Sequence, residues 1–88
     1  GGGARNAILN RDYGTAVVNS LRQLFRLSPA EAEIAISLAS GADLNEIAED
    51  RSVKLNTLRS QIASIMAKTN TRRQAELVAL VARLESPV

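Results

Sequence analysis

The stretch Leu44 to Lys68, LNEIAEDRSVKLNTLRSQIASIMAK, carries two apolar helical patterns separated by a short interval. The first pattern places Leu44, Ile47 and Ala48 on one face. The second, with Leu55, Leu58, Ile62, Ile65 and Met66 at spacings of three and four, is longer. Between them, in Asp50-Arg51-Ser52-Val53-Lys54, only Val53 is apolar. Two helices joined by so tight a turn must cross at a steep angle, as in a helix-turn-helix. The outward face of the second helix carries Asn56, Arg59, Ser60, Ala63 and Ala67, a small, polar and basic surface. Such a surface fits a DNA major groove, where bulky or acidic groups would be excluded.

Outward from this stretch, the helix boundaries are marked by local chemistry. Ser28-Pro29-Ala30-Glu31 predicts an N-cap, a proline at the first helical position and a capping box for a helix whose buried face is Ile34, Ala35, Leu38 and Ala39. Gly41 is the left-handed stop of that helix. Asp43 with Glu46 forms a second capping box, opening a short helix over 43–50, and the long helix then runs from about 55 to 69. Thr71 with Gln74 predicts a third box, opening a last helix with Leu77, Val78, Val81 and Leu84 in register before Pro87. On the N-terminal side, Thr15 is placed to cap a helix over 15–26 with the stripe Val17, Val18, Leu21, Leu24 and Phe25. Residues 1–14 read as a linker or lead-in, and the three leading glycines as a flexible or added segment.

Composition agrees with an all-α fold. Hydrophobic residues make up 45% of the 88, but aromatic residues only 2%, which suits packed helices and is poor for strands. With no Cys and no His, disulfides, thiol catalysis and thiolate or imidazole metal sites are excluded. Carboxylates such as Glu31, Glu33 and Asp43 already have capping or surface roles, and no Gly-rich phosphate loop is present, so the chain does not read as an enzyme and no cofactor or metal is expected. No apolar run approaches the ~20 residues that span a bilayer, so no membrane association is expected. Residues 1–50 hold four basic against seven acidic groups, a net of −3, whereas residues 51–88 hold seven against two, a net of +5. This asymmetry leaves two readings open: a face built for a polyanion, or an ordinary solvated surface.

Leu27-Ser28-Pro29-Ala30-Glu31-Ala32-Glu33, Gly41, Glu46-Ile47-Ala48, Asn56-Thr57-Leu58-Arg59, Ile65, Lys68 and Arg73-Gln74-Ala75-Glu76-Leu77-Val78 together resemble the LuxR-type helix-turn-helix domain. The pattern of that family runs LTPxExEV, G, EIA, TVK, KLG and R-x-x-A, and KTNTRRQAELV here is similar to a subgroup carrying KTGTxRQAELV. The resemblance covers about residues 27–80. It implies a four-helix DNA-binding output domain of a bacterial transcription regulator over 27–85, here with an additional N-terminal helix, acting in the cytoplasm at the nucleoid. Double-stranded DNA, a second copy of the chain and RNA polymerase are the candidate partners. For base contact the resemblance and the helix face single out Arg59, Ser60, Ala63 and Asn56. For phosphate contact the candidates are Asn45, Lys54, Thr57, Lys68, Arg72 and Arg73. The last two sit in the first helical turn, where positive charge opposes the macrodipole and needs a partner, either phosphate or an acidic side chain. Leu77, Val78, Val81 and Leu84 cover too wide an arc for a short terminal helix, which favours a homodimer contact over simple core burial.

Several positions depart from the family pattern. Arg51 stands where the family has an apolar residue, so either its stem packs while its head reaches outward, or the turn differs. Ser52 replaces a glycine, which puts a left-handed conformation in question. Lys54 replaces a Ser or Thr cap and weakens the start of the long helix, whereas Asn70 can still take a left-handed stop. Glu49 and Asp50 place negative charge near the turn. These departures keep two alternatives in view. One is a helical interaction or dimerisation module that has lost DNA binding; the other is a promoter-recognising helix-turn-helix of the sigma-factor kind.

Overall fold

A computed structural model describes residues 16–85. Among these residues the chain forms five helices and no strands. They are α1 (16–25), α2 (Pro29–Ala39), α3 (Leu44–Asp50), α4 (Leu55–Thr69) and α5 (Gln74–Glu85). The proposed Thr15 cap, the lead-in over 1–14 and Pro87 lie outside the described residues.

Two of the three expected capping boxes form. Ser28 Oγ accepts from the Glu31 N–H at 3.1 Å while Glu31 Oε1 accepts from the Ser28 N–H at 2.9 Å. Asp43 and Glu46 make the same reciprocal pair at 2.8 and 3.0 Å. The third does not form. The Thr71 hydroxyl pairs with the Thr69 hydroxyl at 3.0 Å, and Glu76 Oε1 accepts from the N–H groups of Arg72 and Arg73 at 2.6 and 3.2 Å. α5 begins at Gln74, two residues later than that box requires, so Glu76 rather than Gln74 is its third residue; the carboxylate accepts the N–H groups just ahead of the helix and places negative charge at its positive end.

Helices α2, α3 and α4 end in one shared geometry. Gly41, Ser52 and Asn70 take positive φ angles of 94°, 56° and 56°. The next N–H in each case reaches back five residues: Ala42 to the Ser37 carbonyl (3.2 Å), Val53 to Ala48 (2.9 Å) and Thr71 to Met66 (2.9 Å). This is the Schellman closure. Ser52 therefore does adopt the left-handed backbone that its side chain had put in question. Val53, carried inward by the closure, packs against the core. Arg51 resolves in favour of the first alternative: the turn closes, the side chain is largely covered, and Nη1 donates to Glu33 Oε1 on α2 at 3.1 Å.

α2 is the central element, packing against α3, α4 and most extensively α5. Its Ala32, Ile34, Ala35 and Leu38 are buried with Ile47, Leu58, Ile62 and Ile65 from α3 and α4. From α1, Val17 and Leu21 join this core, but Leu24 is 64% exposed. The spacing placed Leu24 on the same stripe. It sits in the last turn of α1, just before Arg26 reverses the chain at φ 60°, where no other element among the described residues covers it.

On α5 the residues expected to form an apolar contact surface divide between core and surface. Leu77 and Val81 have no exposed surface, and Val78 and Leu84 are half-buried against the same core. The wide apolar arc exists because α5 lies against α2 on its own chain. Two stability predictions follow from these observations. Leu77→Ala should destabilise the protein by about 2–5 kcal/mol in urea unfolding, as for other buried leucines, without altering the association state of the folded protein in sedimentation. Ser52→Gly should raise stability by about 0.5–1 kcal/mol, because it relieves a left-handed side chain on an exposed turn.

Candidate nucleic-acid interface

α4 is held by one buried row, Leu58, Ile62, Ile65 and Thr69. The Thr69 hydroxyl satisfies itself by donating to the Ile65 carbonyl at 2.9 Å, which lets a polar residue end an otherwise apolar row. With 3.6 residues per turn, this row leaves Asn56, Arg59, Ser60, Ala63 and Ala67 on the opposite side, and all five are exposed. The four base-contact candidates therefore share one outward face. Thr57 is exposed on the flank of that face, and Asn45 is exposed in the first turn of α3.

Lys54 precedes α4 as its N-cap residue in extended conformation and makes no side-chain capping bond. The start of α4 is accordingly left with free backbone donors, a weak local positive pole beside an exposed ammonium. Two ion pairs form among the described residues, Arg51–Glu33 and Lys68–Glu31. Neither uses Lys54, Arg59, Arg72 or Arg73, all of which are exposed. The partner that positive charge at the start of α5 required is present as Glu76, gripping the backbone of Arg72 and Arg73 and leaving their guanidinium groups to solvent.

Lys68 differs from the other phosphate candidates. It lies on the flank of α4 that faces the start of α2, in a row with Thr57, Gln61 and Ser64. Its Nζ donates to Glu31 Oε1 at 2.7 Å, and the Ser64 hydroxyl donates to Glu31 Oε2 at 3.0 Å. Burial of the Glu31 side chain acts to raise its pKa. The bonds from Lys68, the Ser28 N–H and Ser64 outweigh burial and lower it from 4.5 to about 2. Beside this cluster the Gln61 Oε1 atom is buried without a hydrogen-bond partner. Sequence reasoning did not anticipate the cluster, because Glu31 stands 33 and 37 residues from its partners on α4. The polar row Thr57, Gln61, Ser64 and Lys68 reads equally as a solvated helix flank, so nothing local marked the cluster.

Among the described residues, no group of three or more carboxylates is placed to hold a metal ion, and no helix is long and apolar enough to cross a membrane. The arrangement offers a convex, cationic helix face rather than an enclosed pocket, which suits contact with a large grooved anion. No family model, curated protein or solved structure matches the chain.

The Glu31 cluster has a defined acid response. Since the folded carboxyl is held below 4.5, its ionised form contributes stability that is fully present above that pH and is lost as pH falls from 4.5 toward about 2. In urea unfolding across this range, the stability gap between the wild type and Glu31→Gln should narrow as the pH is lowered. A gap independent of pH would show that the charge on Glu31 contributes nothing.

Proposed function

We propose that the protein is a DNA-binding transcription regulator domain of the LuxR-type helix-turn-helix kind, with α4 as the recognition helix in the major groove. The observation that carries this reading is the outward face of α4: Asn56, Arg59, Ser60 and Ala63 are exposed together, with no ion pair at Arg59 among the described residues and no acidic residue on the face. Arg59 is the base-reading residue, since a guanidinium can grip guanine O6 and N7 with two parallel bonds. Ser60, Ala63 and Asn56 are small enough to let the helix approach the base edges. Lys54, Thr57 and Asn45 hold backbone phosphates around the start of α4, and Arg72 and Arg73 extend the cationic surface beyond its end.

In this reading the regulator acts as a homodimer on two half-sites, with RNA polymerase as a further partner in a bacterial cytoplasm. Because Leu77 and Val81 are enclosed within one chain, the dimer contact must use other residues. A competing reading, a helical protein-interaction module, is favoured by Glu49 and Asp50, which are exposed at the end of α3 beside the turn and would repel a nearby phosphate.

Selection from a pool of random duplexes at two salt concentrations decides between the two. The regulator reading expects an enriched motif with paired half-sites whose binding weakens steeply with salt. Absence of binding at low salt would favour the interaction module. On the selected duplex, Arg59→Ala should lose about 1–3 kcal/mol of affinity and relax base preference at one position of each half-site, while unchanged binding would remove Arg59 from the contact.

A further inference from the structure

Lys68 and Arg59 lie on the same helix but on different sides of it, and their surroundings differ in kind. Arg59 is exposed and outside both ion pairs. The Lys68 ammonium is held 2.7 Å from a carboxylate whose side chain is only 12% exposed, against 40% for the lysine itself. That carboxylate is itself fixed: Glu31 closes the capping box of α2 by accepting the Ser28 N–H at 2.9 Å, so its position is set by α2 and not by α4. Ser64, one turn before Lys68, donates to the other carboxylate oxygen at 3.0 Å. The two bonds therefore pin one flank of α4 to a rigid point on α2. The N-terminal end of α4 is seated by the burial of Leu58 and has no polar bridge of this kind, and Lys54 makes no capping bond there.

A helix face that reads bases must be held within about 0.5 Å and 10–20° of its productive geometry, since paired bonds to a base edge tolerate little more. A roll of α4 about its axis would carry Arg59 and Ser60 out of register while leaving the attraction of the domain for phosphate almost unchanged. With one of its three N–H donors on Glu31 and its charge offset by that carboxylate, Lys68 attracts a phosphate less strongly than an unpaired lysine does. We infer that Lys68 is a positioning residue, which with Glu31 and Ser64 sets the roll of α4 on α2 and so governs discrimination among duplex sequences. This inference rests on the DNA-binding reading above.

The test measures equilibrium binding of the wild type, Lys68→Met, Lys68→Arg and Glu31→Gln to the selected duplex and to a scrambled duplex, each over a salt series. Circular dichroism confirms the fold of every variant. Lys68→Met should bind the selected duplex about tenfold more weakly, the size of one lost base contact, with the scrambled duplex unchanged within about twofold and the salt slope preserved. Lys68→Arg, which retains the charge and can reach Glu31, should restore selectivity. Glu31→Gln keeps an acceptor for the Ser28 N–H, and its amide N–H can donate to the Ser64 hydroxyl, but it loses the charge that holds Lys68 and should reproduce the Lys68→Met loss; it is the second variant should Lys68→Met unfold.

Equal weakening of both duplexes by Lys68→Met, with a salt slope shallower by about 0.9, would make Lys68 a phosphate ligand and overturn the inference alone. So would tighter binding of scrambled duplex by Glu31→Gln, the sign of a released cation. A wild type that binds duplexes without preference overturns the inference, since no discrimination exists to be governed. A wild type that binds no duplex overturns the DNA reading and the inference with it.

Discussion

The carboxylate of Glu31 accepts hydrogen bonds from the Ser28 N–H, the Ser64 hydroxyl and the Lys68 ammonium, and so serves a helix start and a helix–helix contact at once. Few side chains could do this. Aspartate is one methylene shorter, and glutamine lacks the charge that makes the lysine bond favourable in a partly covered position. The carboxylate stays ionised against the opposing effect of burial because its acceptor sites are filled by three donors. The start of α2, the central helix of the fold, is thereby coupled to the far end of α4, alongside the buried row Leu58, Ile62 and Ile65 that seats the rest of that helix.

Turn chemistry supplies a second constraint. With five helices in 70 described residues, the connections are short, and each must reverse the chain while satisfying the carbonyls left at a helix end. Gly41, Ser52 and Asn70 do so with the same left-handed closure. Asn tolerates this backbone and Gly adopts it freely, whereas Ser carries a steric cost of order 1 kcal/mol. At Ser52 that cost is offset by the burial of Val53 directly after it, which the closure turns into the core between α3 and α4.

The same packing that closes the core determines which charges remain available. Arg51 and Lys68 are drawn back to Glu33 and Glu31 on α2, while Lys54 and Arg59 remain in solvent. Basic residues that look equivalent in a charge count are thus divided between internal bridges and an open surface. The division follows helix geometry: Lys68 lies on the flank of α4 toward α2, and Arg59 points away from the core.

Local sequence by itself determined the helices, two of the three capping boxes, the stops at Gly41 and Asn70 and the outward row Asn56, Arg59, Ser60 and Ala63. Each depends on residues within about a turn of one another or on a periodicity of 3.6. At Thr71 even local reasoning failed, because the helix starts at Gln74 and Glu76, not Gln74, takes the reciprocal place at its start. Only the tertiary structure decided that the apolar arc of α5 closes on α2, that Leu24 is left uncovered, and that Lys68 and Arg51 bridge to α2 across 37 and 18 residues. An apolar stripe states that a face must be buried without stating against what, and a charge states that a partner is favourable without stating which. Those choices belong to the packing of α2 against α3, α4 and α5, where residues remote in sequence come within hydrogen-bonding distance.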